Sequence, residues 1–219
     1  MGASGGFPID LVLFGMIAAF LVLRLRSILG RRQGFERSMT VRREAPAADG
    51  PVIEGVAERT APARPLPDAA SPAGQALARM QQSFRSFDPA RFLDGAEQAF
   101  RMIVTAFAAG DRATLRSLLS DETLRTFESA IAAREAAGET QRTEIRAIHA
   151  ATIEAADLRG STADISVRFV SDQVNLTLGR DGAVAAGTDA VTEIVDQWTF
   201  ERDLGAPDPT WRLVAARSA

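Results

Sequence analysis

The sequence predicts an α+β domain in which helices come first and a curled antiparallel sheet follows. Apolar residues recur at steps of three and four from Leu77 to Ile131, and from Thr143 onward the step becomes two. Turn residues divide the alternating region into four segments. Helical and strand periods that are segregated along the chain are typical of α+β domains, so we expect the helices to pack in the concave face of a cone-shaped sheet.

A membrane anchor is predicted within residues 1–43, before this domain. Its uncharged run, Leu11–Leu23, is shorter than the about 20 residues of a full span, so Asp10 must lie at one interface and Arg24 at the other. The alternatives are a cleaved signal peptide and a helix lying in the interface. A signal peptide carries basic residues before its apolar centre, and this segment has none there. We therefore predict one transmembrane helix.

The arginines near this helix predict its orientation. They follow the apolar run and are absent before it: Arg24, Arg26, Arg31, Arg32, Arg37, Arg42 and Arg43. By the positive-inside rule, the body of the protein then lies on the cytoplasmic side. Contact with acidic lipids is the second expectation for the same arginines.

Composition excludes several classes of function. The chain has no cysteine and one histidine, and all 25 of its basic residues are arginine, so thiolate chemistry and lysine chemistry are both absent. Residues 1–43 carry a net charge of +5 and the remainder −8. An acidic body argues against nucleic-acid binding. No cofactor or metal is predicted, because no ligand spacing surrounds the single histidine.

Residues 44–74 form the predicted linker. They are rich in proline, alanine and small polar residues and show no sustained apolar period, so we expect a disordered tether. Such a tether of about 30 residues reaches on the order of 30 Å. The folded domain is predicted to cover residues 75–219.

Four helices are predicted in the domain, each from its cap residues and its apolar stripe. Asp88 and Pro89 begin the second helix, and Gly110 ends it. Asp111 caps the third helix, and the fourth runs from Ser120 or Asp121 to Gly138. The first helix carries one stripe: Leu77, Met80, Phe84 and Phe87.

The four strands are predicted from alternation. The first places Ile145, Ala147, His149, Ala151 and Ile153 on its apolar face. In the second, the apolar positions change from odd numbers to even ones at Val174, which predicts a bulge or a sharp bend between Val170 and Gln173. The third strand carries Ile194, Trp198 and Phe200, and the last carries Trp211 and Leu213.

The domain resembles a known family through the run FDPARFLDGAEQAFRMIVTAFAAGDRATLRSLLSDETLRTFESAIAAREAAGE and the later DQWTFERDL and DPTWRLV. It is similar to bacterial relatives of the forty-four-kilodalton scaffold subunit of the mitochondrial inner-membrane import motor. The resemblance implies a nuclear-transport-factor-two-like cone at the bacterial inner membrane. It also implies partners: inner-membrane complexes, a seventy-kilodalton heat-shock chaperone and acidic lipid. The long charged region that precedes the mitochondrial domain is missing here.

His149 is the candidate cavity residue. On the apolar phase of its strand it would point into the cone, where a histidine or aspartate serves as general base in enzymes of this fold. Its carboxylate candidates are Asp164, Asp196 and Glu193. The simpler interpretation is a hydrogen-bonded structural histidine at the core or rim.

A second group of residues is predicted to contact partners or the membrane. It consists of the first-helix stripe and the two tryptophans: Leu77, Met80, Phe84, Phe87, Trp198 and Trp211. The alternative for the stripe is packing against the sheet, and for the tryptophans a cross-strand pair in the core.

Two functions follow from these features. The first is a membrane-anchored adaptor that binds other proteins, linked to protein translocation or membrane-protein assembly, and not an enzyme. The alternative is a small-molecule-binding protein or an isomerase or dehydratase that uses the cone cavity. A cavity filled by phenylalanine and leucine favours the adaptor, whereas an open cavity with His149 facing a carboxylate favours the enzyme.

Overall fold

The computed structural model describes residues 64–218. The predicted anchor, with Arg24, Arg26, Arg31 and Arg32, lies outside the described residues, as does the linker up to residue 63. Within residues 64–218, no helix has the length and apolar character needed to cross a membrane. The anchor and the division into three segments stay predictions, but the last residues of the predicted linker are ordered: the first helix begins at Pro72, and Arg64 forms ion pairs with Asp94 and Glu97.

Four helices come first, as predicted. They are α1 (Pro72–Ser83), α2 (Pro89–Ala109), α3 (Arg112–Leu118) and α4 (Asp121–Ala137). Asp88 caps α2 by accepting hydrogen bonds from the backbone N–H groups of Ala90 and Arg91 at 2.8 and 3.0 Å. Gly110 and Gly138 follow α2 and α4 with φ of 72°, a left-handed conformation that glycine adopts at low cost.

Helix α1 is shorter than its apolar stripe predicts. It ends at Ser83, so Phe84 and Phe87 lie beyond it. The Phe87 N–H donates to the Phe84 carbonyl at 2.9 Å and closes a turn. Asp88 precedes a proline, and that position disfavours the helical conformation and is extended here. The stripe therefore combines one helix with the turn that follows it.

A four-stranded antiparallel meander follows the helices. Its strands β1 (Thr140–Arg159), β2 (Thr162–Leu178), β3 (Val184–Asp203) and β4 (Arg212–Ser218) lie side by side in sequence order. Strand β4 is short and pairs with β3 only from Asp196 to Glu201. Trp211 precedes β4 instead of lying in it. The α+β arrangement of helices followed by an open sheet confirms the predicted fold class.

Strand β1 contains three bulges that decide which of its residues face the helices. Its register against β2 shifts at three places, and each shift inserts one residue: Arg146, His149 and Glu154. Each insertion moves the inward face by one position. The inward residues are consequently Ile145, Ile148, Ala151, Ile153, Ala156 and Leu158, all packed in or against the core.

The bulge predicted in β2 is found in its neighbour β1 instead. The odd-numbered residues of β2 remain buried through Ser171 and Gln173, so its alternation does not change between Val170 and Gln173. The Arg146 and His149 bulges of β1 lie opposite this stretch. The position of the bulges along the sheet was predictable from β2. The sequence of β2 does not reveal that they lie in β1.

Aromatic side chains fill the space between the sheet and α2. The rings of Phe100 and Phe169 stack with their centroids 4.4 Å apart, and neither side chain is exposed. Trp198 lies 4.7 Å from Phe100, and Phe92 lies 4.6 Å from Trp211. At this end of the sheet, the face that meets α2 is a packed core.

Candidate functional site

Beyond Phe169, the inner face of the sheet carries polar residues among apolar ones. The residues that form this region are called the mouth here: Ile145, Ile148, Ser171, Gln173, Ile194 and Asp196. Cross-strand pairing places Ile148 and Ile194 on either side of Ser171, and Ile145 beside Gln173. Ser171 and Gln173 are buried, whereas the isoleucines are partly exposed. The mouth thus combines apolar surface with buried polar groups.

A chain of hydrogen bonds starts in the mouth and continues across β1. Gln173 donates to the Ser171 hydroxyl at 2.9 Å and accepts from Asn175 at 3.2 Å. Thr143 donates to the Asn175 side-chain oxygen at 2.7 Å, and Gln141 donates to the Thr143 hydroxyl at 3.3 Å. Buried and partly buried polar groups that are hydrogen-bonded in this way hold one another in fixed orientations.

Arg134 of α4 ends this chain and joins it to α2. Its guanidinium donates to the side-chain oxygen of Gln141, and also to the carbonyls of Phe107 and Ala108 at 2.8 and 3.1 Å. It lies 5.3 Å from the centre of the Phe107 ring. Desolvation lowers the pKa of Arg134. The cation therefore compensates the carbonyl end of α2 and fixes the position of α4 relative to β1.

Asp196 is the carboxylate of the mouth. It pairs with the fully buried Phe169 across β2 and β3, and therefore faces the inner side of the sheet. Ser218 of β4 donates a hydrogen bond to its carboxylate at 2.8 Å. Burial raises the pKa of Asp196, and the Ser218 hydrogen bond opposes this shift only partly. A desolvated carboxylate of this kind is suited to accept a hydrogen bond or a positive charge from a bound group.

His149 occupies a different place from the one predicted. As a bulge residue, it leaves the inward face to Ile148 and Ala151. Its Nε2 lies 2.9 Å from an oxygen of Asp172, and its side chain is 48% exposed. Asp172 alternates with the buried Ser171 and Gln173, so this pair lies on the outer face of the sheet. The prediction that His149 points into the cone is therefore wrong.

Of the carboxylates predicted to act with His149, Glu193 alone neighbours its partner Asp172, and it does so on the outer face. Asp164 contacts Arg159 on the outer face, and Glu193 pairs with Asp172 across β2 and β3. Only Asp196 faces inward, on the opposite side of the sheet from His149. Within residues 64–218, no group of three or more acidic or histidine side chains is arranged to hold a metal ion.

The predicted partner-contact residues lie mainly in the core. Leu77 and Met80 of α1 are 3% and 0% exposed, and Phe87 is also buried. Phe84 is partly buried against the same core. These residues therefore pack against the sheet, which was the alternative predicted for the stripe.

The two tryptophans are both packed inside the domain but do not pair with each other. Trp198 lies opposite Ala216 of β4 and is 6% exposed. Trp211 precedes that strand and contacts Phe92 and Phe87, whose ring centroids are 4.6 and 6.0 Å from its own. The tryptophans therefore pack in the core, as the alternative predicted, but they do not form a cross-strand pair.

The sequence signal for the mouth was the interruption of alternation in β2. Ser171 and Gln173 continue the inward phase of Ile165, Val167 and Phe169, but they are polar. Polar residues at the alternate positions of a strand that are otherwise buried indicate either a changed register or a polar inner surface. The structure shows the second. Arg134 had no comparable signal, because one arginine on an exposed-looking helix face is common.

The helices and the meander define an α+β domain whose inner sheet face is packed with aromatic residues at one end and carries both apolar and polar residues at the other. A family model for the Tim44-like domain matches residues 73–218, and the chain belongs to this family. The predicted resemblance is thereby confirmed. None of the curated proteins matches the chain significantly.

Two solved structures are similar to the chain at low sequence identity. The intermembrane space region of the chloroplast protein ARC6 is similar with a TM-score of 0.45 and 11% identity, over 60% of this chain and 97% of that one. A dehydratase-like protein of the NTF2-like family from Streptomyces avermitilis is similar with a TM-score of 0.37 and 18% identity, over 59% of this chain and 97% of that one.

Proposed function

We propose that this protein is a membrane-anchored adaptor whose Tim44-like domain binds other proteins through its mouth. The anchor of residues 1–43 holds it at the bacterial inner membrane, with the domain on the cytoplasmic side. The sheet and its helices form a nuclear-transport-factor-two-like cone. The protein acts by holding partners near the membrane, in protein translocation or membrane-protein assembly, and it makes or breaks no bond.

The observation that carries this proposal is the packed interior. The buried rings of Phe100, Phe169 and Trp198 fill the space between the sheet and α2, where the alternative function requires an open cavity. Catalysis by proton transfer needs at least two polar groups that converge on a substrate. Of the four predicted candidates, Asp196 alone faces inward. The family assignment supports the same conclusion, because the mitochondrial protein that the chain resembles is a scaffold.

The mouth offers a surface of the right chemistry for a protein segment. Ile145, Ile148 and Ile194 supply partly exposed apolar area, and Asp196 supplies one desolvated acceptor. An amphipathic helix or an extended segment with a basic or hydroxyl side chain among apolar ones would complement both features. A chaperone or an inner-membrane complex presents segments of this kind, and acidic lipid contact is left to the arginines that follow the anchor.

The proposal is tested by site-specific photo-crosslinking of the full-length protein in bacterial membranes. A photoreactive residue replaces Ile148 in the mouth, and a matched control replaces Thr152, which lies on the outer face of the same strand and is similarly exposed. We expect a discrete crosslinked protein from position 148 only. Asp196→Asn should weaken this product. Equal products from both positions, or none from either, would contradict binding through the mouth.

A second candidate is a small-molecule-binding protein or enzyme, and one observation favours it. The raised pKa of Asp196 is what a general base in an apolar site requires. A thermal-shift screen of small polar molecules against the wild type and Asp196→Asn separates the two candidates. A ligand that stabilises only the wild type would support the small-molecule-binding protein or enzyme. A partner protein crosslinked at position 148 would support the adaptor.

A further inference from the structure

A shallow groove runs between α2 and α3, on the side of α2 away from the sheet. Its volume is about 410 Å³, and it is lined by Met102, Thr105, Ala106, Ala109, Asp111 and Thr114. Met102 is 48% exposed, although most large apolar side chains of the described domain are buried. The groove is therefore a mainly apolar surface that nothing within residues 64–218 covers.

The start of the described chain leads toward this groove. Pro67 and Asp68 line a hollow together with Ala155 of β1, so the chain lies beside the sheet at that point. Three residues earlier, Arg64 already lies on α2, where its guanidinium contacts Asp94 at 2.7 Å and Glu97 at 2.9 Å. Read from residue 68 back to residue 64, the chain thus crosses from the sheet onto α2.

Arg64 and the groove are connected by one run of ion pairs along α2. Glu97, which binds Arg64, also contacts Arg101 at 3.5 Å. Arg101 lines the near end of the groove. The Glu97 carboxylate that binds Arg64 therefore lies about one helical turn from the groove, because four residues of an α-helix rise about 6 Å.

The preceding segment has one apolar cluster that fits this surface. Between residues 44 and 63, the only large aliphatic residues are Val52, Ile53 and Val56. Val56 is eight residues from Arg64, and an extended chain of that length spans at most about 26–29 Å. The distance along α2 from Glu97 to Ala109 is about 18 Å. The cluster is therefore within reach of the whole groove.

We propose that residues 52–56 dock in the groove between α2 and α3 and cover Met102. Glu58, which lies between this cluster and Arg64, pairs with Arg101 at the near end of the groove. Docking removes part of the tether from solution and leaves a shorter connection between the anchor and the domain. The domain is then held closer to the membrane than a free linker would hold it. The docking does not depend on which partner the mouth binds, whereas its effect on the distance from the membrane rests on the anchor of the proposed function.

Disulfide trapping in the full-length protein tests the proposal directly, because the chain has no native cysteine. Val56→Cys is combined with Ala109→Cys in the groove, or with Ala215→Cys on β4 as a matched exposed control. We expect mild oxidation to produce an intramolecular disulfide with position 109 and little with position 215. Equal trapping at both positions, or trapping only between two molecules, would overturn docking by the chain's own segment.

A labelling experiment gives an independent readout that no disulfide geometry limits. Ala109→Cys alone is labelled with a maleimide, in the natural linker and in a linker with Val52, Ile53 and Val56 replaced by serine. We expect labelling to be several-fold slower with the natural linker. Equal rates would overturn the proposal. Circular dichroism of both proteins confirms that the serine substitutions leave the fold intact.

Discussion

Asp196 lies directly across from Phe169 on the inner face of the sheet, so a carboxylate occupies a position next to a fully buried ring. The consequence is a raised pKa, caused by desolvation. A carboxyl group whose pKa is higher in the folded state binds its proton more tightly there than in the unfolded chain. Its contribution to stability is present in acid and is lost as the pH rises through the folded-state pKa.

The Asp196→Asn variant should therefore be more stable than the wild type at neutral pH, because asparagine removes the cost of a desolvated charge. We expect the difference in Tm to shrink as the pH falls and Asp196 becomes protonated. Thermal unfolding of both proteins across a pH series measures this. Asp203→Asn is the matched contrast. Hydrogen bonds from Ser161 and Gly205 lower the pKa of Asp203, so that variant should lose stability at neutral pH. A wild type more stable than Asp196→Asn at neutral pH would contradict the assignment.

Phe100→Ala should destabilise the domain by about 3–5 kcal/mol, because it leaves a cavity between Phe169 and Trp198. Denaturant unfolding measures the change in free energy. Gln98→Ala, at an exposed position of the same helix, should change stability by less than about 0.5 kcal/mol. Similar effects for the two variants would show that the aromatic stack is not the core of the domain.

Arg134→Met should cost about 1–3 kcal/mol, since the Phe107 and Ala108 carbonyls lose their charged donor. Arg134→Lys should recover little, because an ammonium group cannot reproduce the planar fork of donors. Arg125 is exposed on the same helix, and its change to methionine serves as the control. If Arg134→Met and Arg125→Met lower the free energy of unfolding by similar amounts, the structural function assigned to Arg134 is wrong.

Two glycines should respond to alanine in opposite directions. Gly95 lies within α2, and an added Cβ meets nothing within 4 Å, so Gly95→Ala should stabilise by about 0.5–1 kcal/mol. Gly187 has φ of +81°, and a Cβ there would lie 2.2 Å from the Asn175 carbonyl oxygen. Gly187→Ala should therefore destabilise by more than about 1 kcal/mol. Thermal unfolding of the two variants beside the wild type checks both signs.

The parts of the fold set by local chemistry were predictable from the sequence. Asp88 and Gly110 mark the ends of α2 because a cap residue satisfies backbone groups within one turn of itself. The four strands follow from turn residues and alternation in the same way. The end of α1 was missed, because apolar spacing continues through Phe84 and Phe87 although the backbone turns there.

The position of His149 could not be predicted from β1 alone. A bulge is a property of two strands, since it exists only where one strand has an extra residue relative to its partner. Within β1, His149 alternates correctly with Ala147 and Ala151, and nothing in that pattern reveals that it is the inserted residue. The mouth was equally hidden, because Ser171 and Gln173 become inner-surface residues only when the register is known.

The three bulges of β1 also affect how relatives of this domain should be compared. Each inserted residue exchanges the parity of the inward positions, which are odd at Ile145, even at Ile148, odd at Ala151 and even again at Ala156. A relative that lacks one bulge keeps the same core with one residue fewer in the strand. Gaps inside this strand are therefore compatible with an unchanged fold, and an alignment that forbids them would match core residues of one protein with surface residues of another.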